Sequence, residues 1–329
     1  MQDPLRVRAA SGRAEQAADC HNEGVRIRKA RFVAVAAGAV ALATIAGALH
    51  LRADKRQVFL DVAGEYAAAR TVERAEAGGQ PARRVELVND RGESVATAWV
   101  RRPAHLAASY RTLLVYAGRK TGRAILDLVP ARDDLVLAAV QYPEIASRTL
   151  GERLRWPSEV RRAAFRTVAG GILATSFLER DERLDSKRLV VVGSSLGSAF
   201  AVAHAALDPR VPRLVVIHGG GDLQLVIRSL EAARGRPWRG RFYAAAAAVL
   251  VASFDPLRYA ADVAPRETIV VAARSDRTFP VASTLALYER AREPKRLVWT
   301  AGAHVRSKPG LEVDEVILEL DRVLGPPPE

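Results

Sequence analysis

The chain has 329 residues, 49% of them apolar and 26% charged, with a formal net charge of +13. That length holds one large α/β domain with extra segments or two ordinary domains, and the apolar share excludes a globally disordered chain. The positive charge does not read as a nucleic-acid footprint: Arg is spread along the whole chain, no basic stretch is interleaved with aromatics, and no zinc or helix-turn-helix spacing occurs.

Residues 1–31 form a basic leader holding Cys20, the only cysteine, so no internal disulfide and no Cys/His metal cluster is indicated. Residues 32–51, FVAVAAGAVALATIAGALHL, contain no Asp, Glu, Lys or Arg, and twenty helical residues match the thickness of a bilayer core. Arg26, Arg28, Lys29 and Arg31 precede the run, while Arg52, Lys55 and Arg56 follow it. Two exported readings fit. One is an uncleaved membrane anchor with the rest of the chain extracytoplasmic. The other is a signal peptide cut after Ala46-Gly47-Ala48, which leaves a periplasmic or secreted protein. The third reading is a buried Ala-rich helix of the globular domain. A start at Val25 would shorten the leader to the usual signal form.

Residues 52–82 are charged and helix-compatible, a tether and first helix broken at Gly78-Gly79-Gln80-Pro81. From residue 83 onward strands and helices alternate. RRVELVND and SVATAWVRRP flank the hairpin signal DRGE. RTLLVYAG and DLVLAAVQYP are unbroken apolar runs, as expected of strands buried on both faces. Residues 158–180 show helical periodicity with Ser158 as N-cap. KRLVVVG, a helix, RLVVIHG, a mixed helical region (222–262), ETIVVAARSD, a helix, KRLVWTAGAH and a final helix (311–324) complete the series. This pattern predicts an α/β domain over 83–325: a doubly wound, mainly parallel sheet of about eight strands, preceded by the N-terminal apolar helix. Within 222–254, GRPWRGRFYAAAAAVLVASF joins a basic aromatic stretch to an apolar run too short to span a bilayer. A small cap over a site and an ordinary packed helix with a solvated Arg loop both fit it.

Gly193-Ser194-Ser195-Leu196-Gly197 has the form G-x-S-x-G and lies between an apolar strand and a helix running through His204, the context of a nucleophile elbow. Ser195 is its central serine. The N–H of Leu196 would point at a developing oxyanion, helped by the helix N-terminus. The glycine patterns of a dinucleotide loop and of a P-loop are absent. A serine nucleophile needs a base, and the base needs an orienting acid. Of the six His, His304 directly follows the last strand, on a loop at the carboxyl edge of the sheet. Asp276 stands just past a strand end, with Asp222 and Asp255 as rival acids. Asp222 also follows a strand, whereas Asp255 reads as the cap of a helix beginning at Pro256.

Residues from about 84 to 324 resemble an α/β-hydrolase domain. The resemblance is carried, in chain order, by LDSKRLVVVGSSLGSAFAVAHAALDPRV, DPLRYAADVAP, VVAARSDRTFP and WTAGAH. It implies Ser195 as nucleophile, Asp276 as orienter and His304 as base, in the chain order of that fold. Within the superfamily the serine esterases and the dienelactone-hydrolase or peptidase-like branches look most similar. The family's oxyanion loop after the third strand carries a His-Gly pair. Here it reads VYAGRKTGR, with Ala117-Gly118 in that place and Arg119 as the second N–H donor beside Leu196. HGGGD at 218–222 resembles a lipase oxyanion motif but follows the nucleophile, and reads as a turn ending a strand.

The expectation is a membrane-tethered serine hydrolase that cleaves small-molecule esters through an acyl-enzyme, with no metal or organic cofactor and no nucleic-acid partner. Nothing in the residues specifies an oligomeric state. Peptidase, thioesterase and acyltransferase chemistry would use the same residues. A non-catalytic, hydrolase-like binding protein on the membrane is the alternative of a different class.

Overall fold

The computed structural model describes residues 47, 49, 51, 53–104, 109–118, 121–145, 149–236, 238, 244–245, 249–305 and 310–325. The chain divides into two units, Met1–Ala53 and Asp54–Glu329. The apolar run at 32–51 lies outside the described residues apart from Gly47, Leu49 and Leu51, which are helical. In this first unit the Ala53 N–H donates to the Leu49 carbonyl at 2.9 Å. Among the described residues no helix is long and apolar enough to cross a membrane.

The second unit opens with α1 (Arg56–Ala63). The expected tether then gives way to a strand, β1 (Tyr66–Ala77). Its sequence, YAAARTVERAEA, is rich in Ala, Arg and Glu and lacks apolar alternation, so local propensity points to helix. Pairing decides otherwise. Gly78 and Gly79, at φ +54° and +74°, make the two-residue turn that folds β1 onto β2 (Gln80–Asn89), with Ala77 opposite Gln80. The outer strand is mostly exposed and carries Arg70, Glu73, Arg74 and Glu76, as suits an edge that must not pair with another chain.

β3 (Ser94–Arg101) continues the meander through the expected turn, where the Asn89 side-chain oxygen accepts from the N–H groups of Arg91 and Glu93 at 3.1 and 3.0 Å. The alternating part then runs β4 (Tyr110–Tyr116), α2 (Arg123–Leu126), β5 (Leu135–Gln141), α3 (Leu150–Glu179), β6 (Leu184–Ser194), α4 (Gly197–Leu207), β7 (Arg213–Ile217) and α5 (Leu223–Ala233). Three short 3₁₀ turns between Ala252 and Asp262 lead to β8 (Glu267–Ala273), α6 (Val281–Arg290), β9 (Lys295–Thr300) and α7 (Leu311–Leu324). Helix α3 starts earlier than the Ser158 signal suggests. Thr149 caps it, accepting from the Glu152 N–H while the Glu152 carboxylate accepts from the Thr149 N–H, a reciprocal capping box. Ser158 sits inside the helix, where its hydroxyl donates to the Arg155 carbonyl.

The described strands form one nine-stranded sheet, one more than expected, in the order β1-β2-β3-β5-β4-β6-β7-β8-β9. The first three strands and the β3–β5 pair are antiparallel, and every pair from β5 to β9 is parallel. Alternate residues of the apolar strands serve opposite faces. Leu114, Val191, Val216 and Val270 pack with α1, α3, α4 and α6 on one face. Leu113, Val190, Val215 and Ile269 pack with α2 and α7 on the other. Each such side chain withdrawn from water contributes about 1.5–3 kcal/mol, which is why these strands carry no polar alternation. The chain order reverses at β4, which has β5 on one side and β6 on the other. In an open α/β sheet such a switch point leaves a crevice at the carboxyl ends of the strands.

Candidate active site

β6 ends at Ser194, and the next residue breaks the strand abruptly. Ser195 has φ +55°, a left-handed conformation a non-glycine residue rarely holds. Two contacts pin it. Its N–H donates to the Ile217 carbonyl of β7 at 3.0 Å, and its own carbonyl accepts from the Ser198 hydroxyl at 2.7 Å. The flanking glycines are required by space. A Cβ on Gly193 would come within 2.5 Å of the Ala201 Cβ, and one on Gly197 within 2.1 Å of the Tyr116 carbonyl oxygen. Strand, sharp turn and helix α4 thus hold Ser195 at the sheet edge, beside the switch point.

His304 reaches it from the loop after β9. Its Nε2 lies 2.9 Å from Ser195 Oγ, and its Nδ1 lies 2.7 Å from Asp276 Oδ2. Asp276 follows β8, and its other oxygen accepts from the N–H groups of Thr278 and Phe279 at 2.7 and 2.8 Å. The Asp276 side chain is only 3% exposed. An acceptor-only carboxylate facing Nδ1 places the imidazole proton there, which leaves Nε2 free to accept from the serine hydroxyl. Phe279 stacks on the His304 ring, at 6.0 Å between centroids and 10° between planes, and fixes its tilt.

No protein-family model and no curated protein matches the sequence. Among solved structures the chain is similar to an acetyl xylan esterase from Paenibacillus sp. R4, with a TM-score of 0.57 and 18% identity over 82% of this chain and 92% of that one. It is equally similar in shape to acetyl xylan esterase 1 from Thermoanaerobacterium sp. JW/SL YS485, with a TM-score of 0.57 and 14% identity over 80% of this chain and 92% of that one. A puromycin-hydrolyzing peptidase of Mycobacterium tuberculosis gives a TM-score of 0.53 and 17% identity over 76% of this chain and 39% of that one. The chain has the α/β-hydrolase fold.

In this α/β-hydrolase frame the rival acids have other tasks. Asp222 caps α5, accepting from the Leu225 N–H at 3.1 Å. Asp255 accepts from the N–H groups of Asp222, Leu223 and Leu257 and so ties two turns together. His204 is buried behind the elbow, its ring nitrogens 3.1 Å from the Tyr116 hydroxyl and 3.2 Å from the Thr175 hydroxyl. His21, His50 and His105 lie outside the described residues.

Of the two oxyanion candidates, Leu196 stands at the N-terminus of α4, and its N–H takes no acceptor among the described residues. Arg119 lies outside the described residues. Its neighbour Gly118 approaches the serine closely: a Cβ there would sit 3.7 Å from the Ser195 Cβ. The loop after β4 therefore does come beside Ser195. Residues 222–236, 238, 244–245 and 249–254 of the candidate cap are described, α5 among them; the remainder lies outside the described residues.

His218 is the functional neighbour that reading the sequence passes over as a strand end. It is buried, at φ +46°, and its Nδ1 accepts from the Val305 N–H at 2.9 Å while its Nε2 lies 3.0 Å from the Thr300 hydroxyl. The residue next to His304 is thereby anchored. Burial pushes the His218 imidazole down to about 4, so it is neutral near pH 7 and able to accept at Nδ1. His218, Asp276 and His304 each place one potential ligand atom within 4.8 Å of the others. The hydrogen bonds just described already use the Asp276 oxygens, the His218 Nδ1 and both His304 nitrogens.

Proposed function

We propose that the protein is a serine hydrolase that cleaves carboxylic esters through a covalent acyl-enzyme. The observation that carries this reading is the hydrogen-bonded series from Ser195 Oγ to His304 to Asp276. Ser195 Oγ attacks the ester carbonyl carbon while His304 Nε2 takes its proton. The carbonyl oxygen becomes an oxyanion facing the Leu196 N–H and the positive end of α4, with Arg119 assigned as the second donor. His304 returns the proton to the departing alkoxide, leaving the acyl group on Ser195. A water then attacks the acyl carbon, giving its proton to His304, which returns it to Ser195 Oγ as the acid leaves. Asp276 holds the tautomer and faces the imidazolium each time it forms.

The esterases that share the fold support ester cleavage, and the puromycin-hydrolyzing peptidase keeps an amide substrate as the second reading. A fluorophosphonate probe tests the core of the proposal. It should label the wild-type protein and Ser194→Ala but not Ser195→Ala. Labelling that survives in Ser195→Ala overturns the assignment, and a folded wild type that never labels favours the non-catalytic binding protein. We also infer that residues 32–51 carry the hydrolase out of the cytoplasm, as anchor or signal. The support is their lack of charge over twenty positions and their basic flanks.

A further inference from the structure

A cavity of about 440 Å³ opens at Ser195 and runs under the edge of the sheet. Its floor is made by Val115, Val192 and Ile217, the inward residues at the ends of β4, β6 and β7. Its wall is one stripe of α7, which presents Val316, Ile317 and Leu320 at helical spacing. The polar side chains in the lining are Ser194, Ser195, Thr278 and His304, two of which are the reacting pair. No Asp, Glu, Lys or Arg lines it among the described residues.

Protein interiors are close-packed, and a void between a sheet and a helix forfeits contacts on every wall. Water gains little there, because a bound water needs two or more polar partners and this space offers them only at its mouth. A sugar ring or a peptide would leave its own hydrogen-bonding groups unpaired in such a space. The group that fits is a flexible hydrocarbon chain attached to a carbonyl held at the mouth. Its volume is within the range of sites that enclose most of a small ligand.

We propose that the site is selective for lipophilic esters, and that the cavity takes a medium-length alkyl chain, hexanoyl to decanoyl in size. This inference rests on the serine-hydrolase reading for its chemistry, but the cavity can be tested without turnover. Each methylene buried from water is worth about fourfold in kcat/KM before the cost of ordering the chain.

The first measurement is kcat/KM for p-nitrophenyl acetate, hexanoate, octanoate, decanoate and palmitate, with a parallel arm of methyl to octyl acetates. The octanoate-to-acetate ratio should be about tenfold or more in the first arm if the acyl chain enters the cavity. A rise in the second arm instead assigns the chain to the alcohol. Ile317→Trp, on the half-buried part of α7, should cut the preferred ratio about tenfold, and Leu320→Phe serves if the first variant fails to fold. The second measurement is decanoate binding to Ser195→Ala, read by calorimetry, with acetate as the control. Binding of decanoate and not acetate supports the cavity even in a protein that never turns over, in which case only the serine-hydrolase reading falls. A protein that labels and turns over, with ratios within about twofold in both arms and no decanoate binding, overturns the inference and leaves that reading standing.

Discussion

The Asp276 carboxylate and the His304 imidazole meet at 2.7 Å although 28 residues separate them in the chain. The carboxylate's second oxygen is held by the Thr278 and Phe279 N–H groups, so the acid cannot rotate away from the ring. Asp276→Asn would offer an amide donor to Nδ1 and favour the wrong tautomer. Its kcat/KM against an ester should fall about four orders of magnitude with an unchanged melting curve. Asp222→Ala should instead lose about 1 kcal/mol of stability with the helix cap and keep fluorophosphonate labelling. The reverse pattern would place the acid one strand earlier.

The elbow depends on the absence of two Cβ atoms. In Gly197→Ala the new methyl meets the Tyr116 backbone oxygen at 2.1 Å, and neither side is a flexible side chain. In Gly193→Ala it meets Ala201 and the Ser198 backbone. Each should cost about 3 kcal/mol or more, with Gly197→Ala the worse, and labelling of Ser195 should slow as the turn opens. Urea midpoints and probe kinetics measure both. Wild-type midpoints in both variants would show the turn to be looser than this packing requires.

His218 makes folding stability depend on pH. Its ordinary value is 6.5 and burial lowers it to about 4 in the folded chain. Above 6.5 both states carry it neutral, and its contribution is fully present. As the pH falls below 6.5 the unfolded chain takes up the proton first, so stability declines until the folded imidazole also titrates near 4. The loss across that window is roughly 3 kcal/mol. His218→Asn keeps an acceptor for the Val305 N–H and tolerates the positive φ, but does not titrate. The wild type should therefore lose more stability than this variant between pH 7.5 and 4.5. Parallel curves would refute the linkage.

Export by residues 32–51 is tested by fusion. In a bacterial host, alkaline phosphatase joined after Asp61 should be active, and a cytoplasmic reporter at the same junction should be silent. The opposite pair of results places the folded second unit in the cytoplasm. A membrane pellet of full-length mass then marks an anchor, and a soluble form starting near Leu49 marks a cleaved signal.

Much of this architecture is written in contiguous windows. The unbroken apolar runs of β4, β5, β6, β7 and β8 declare strands buried on both faces, because each residue's burial shows in its own side chain. Gly193 and Gly197 around Ser195 declare the elbow, because a turn that tight is a property of five adjacent residues. His304 and Asp276 stand out because each follows a strand at the carboxyl edge. Tertiary structure alone decided the rest. β1 is a strand only because a two-glycine turn delivers it to β2, against its own helical composition. The Asp276 carboxylate reaches the His304 ring whereas Asp222 is spent on a helix cap, a difference no local window carries. His218 gains its contact from a backbone N–H 87 residues away, and the apolar cavity arises from three strand ends facing one stripe of α7. Propensity and periodicity act over a few neighbouring residues, whereas hydrogen bonds and cavities between distant segments exist only once the chain has packed.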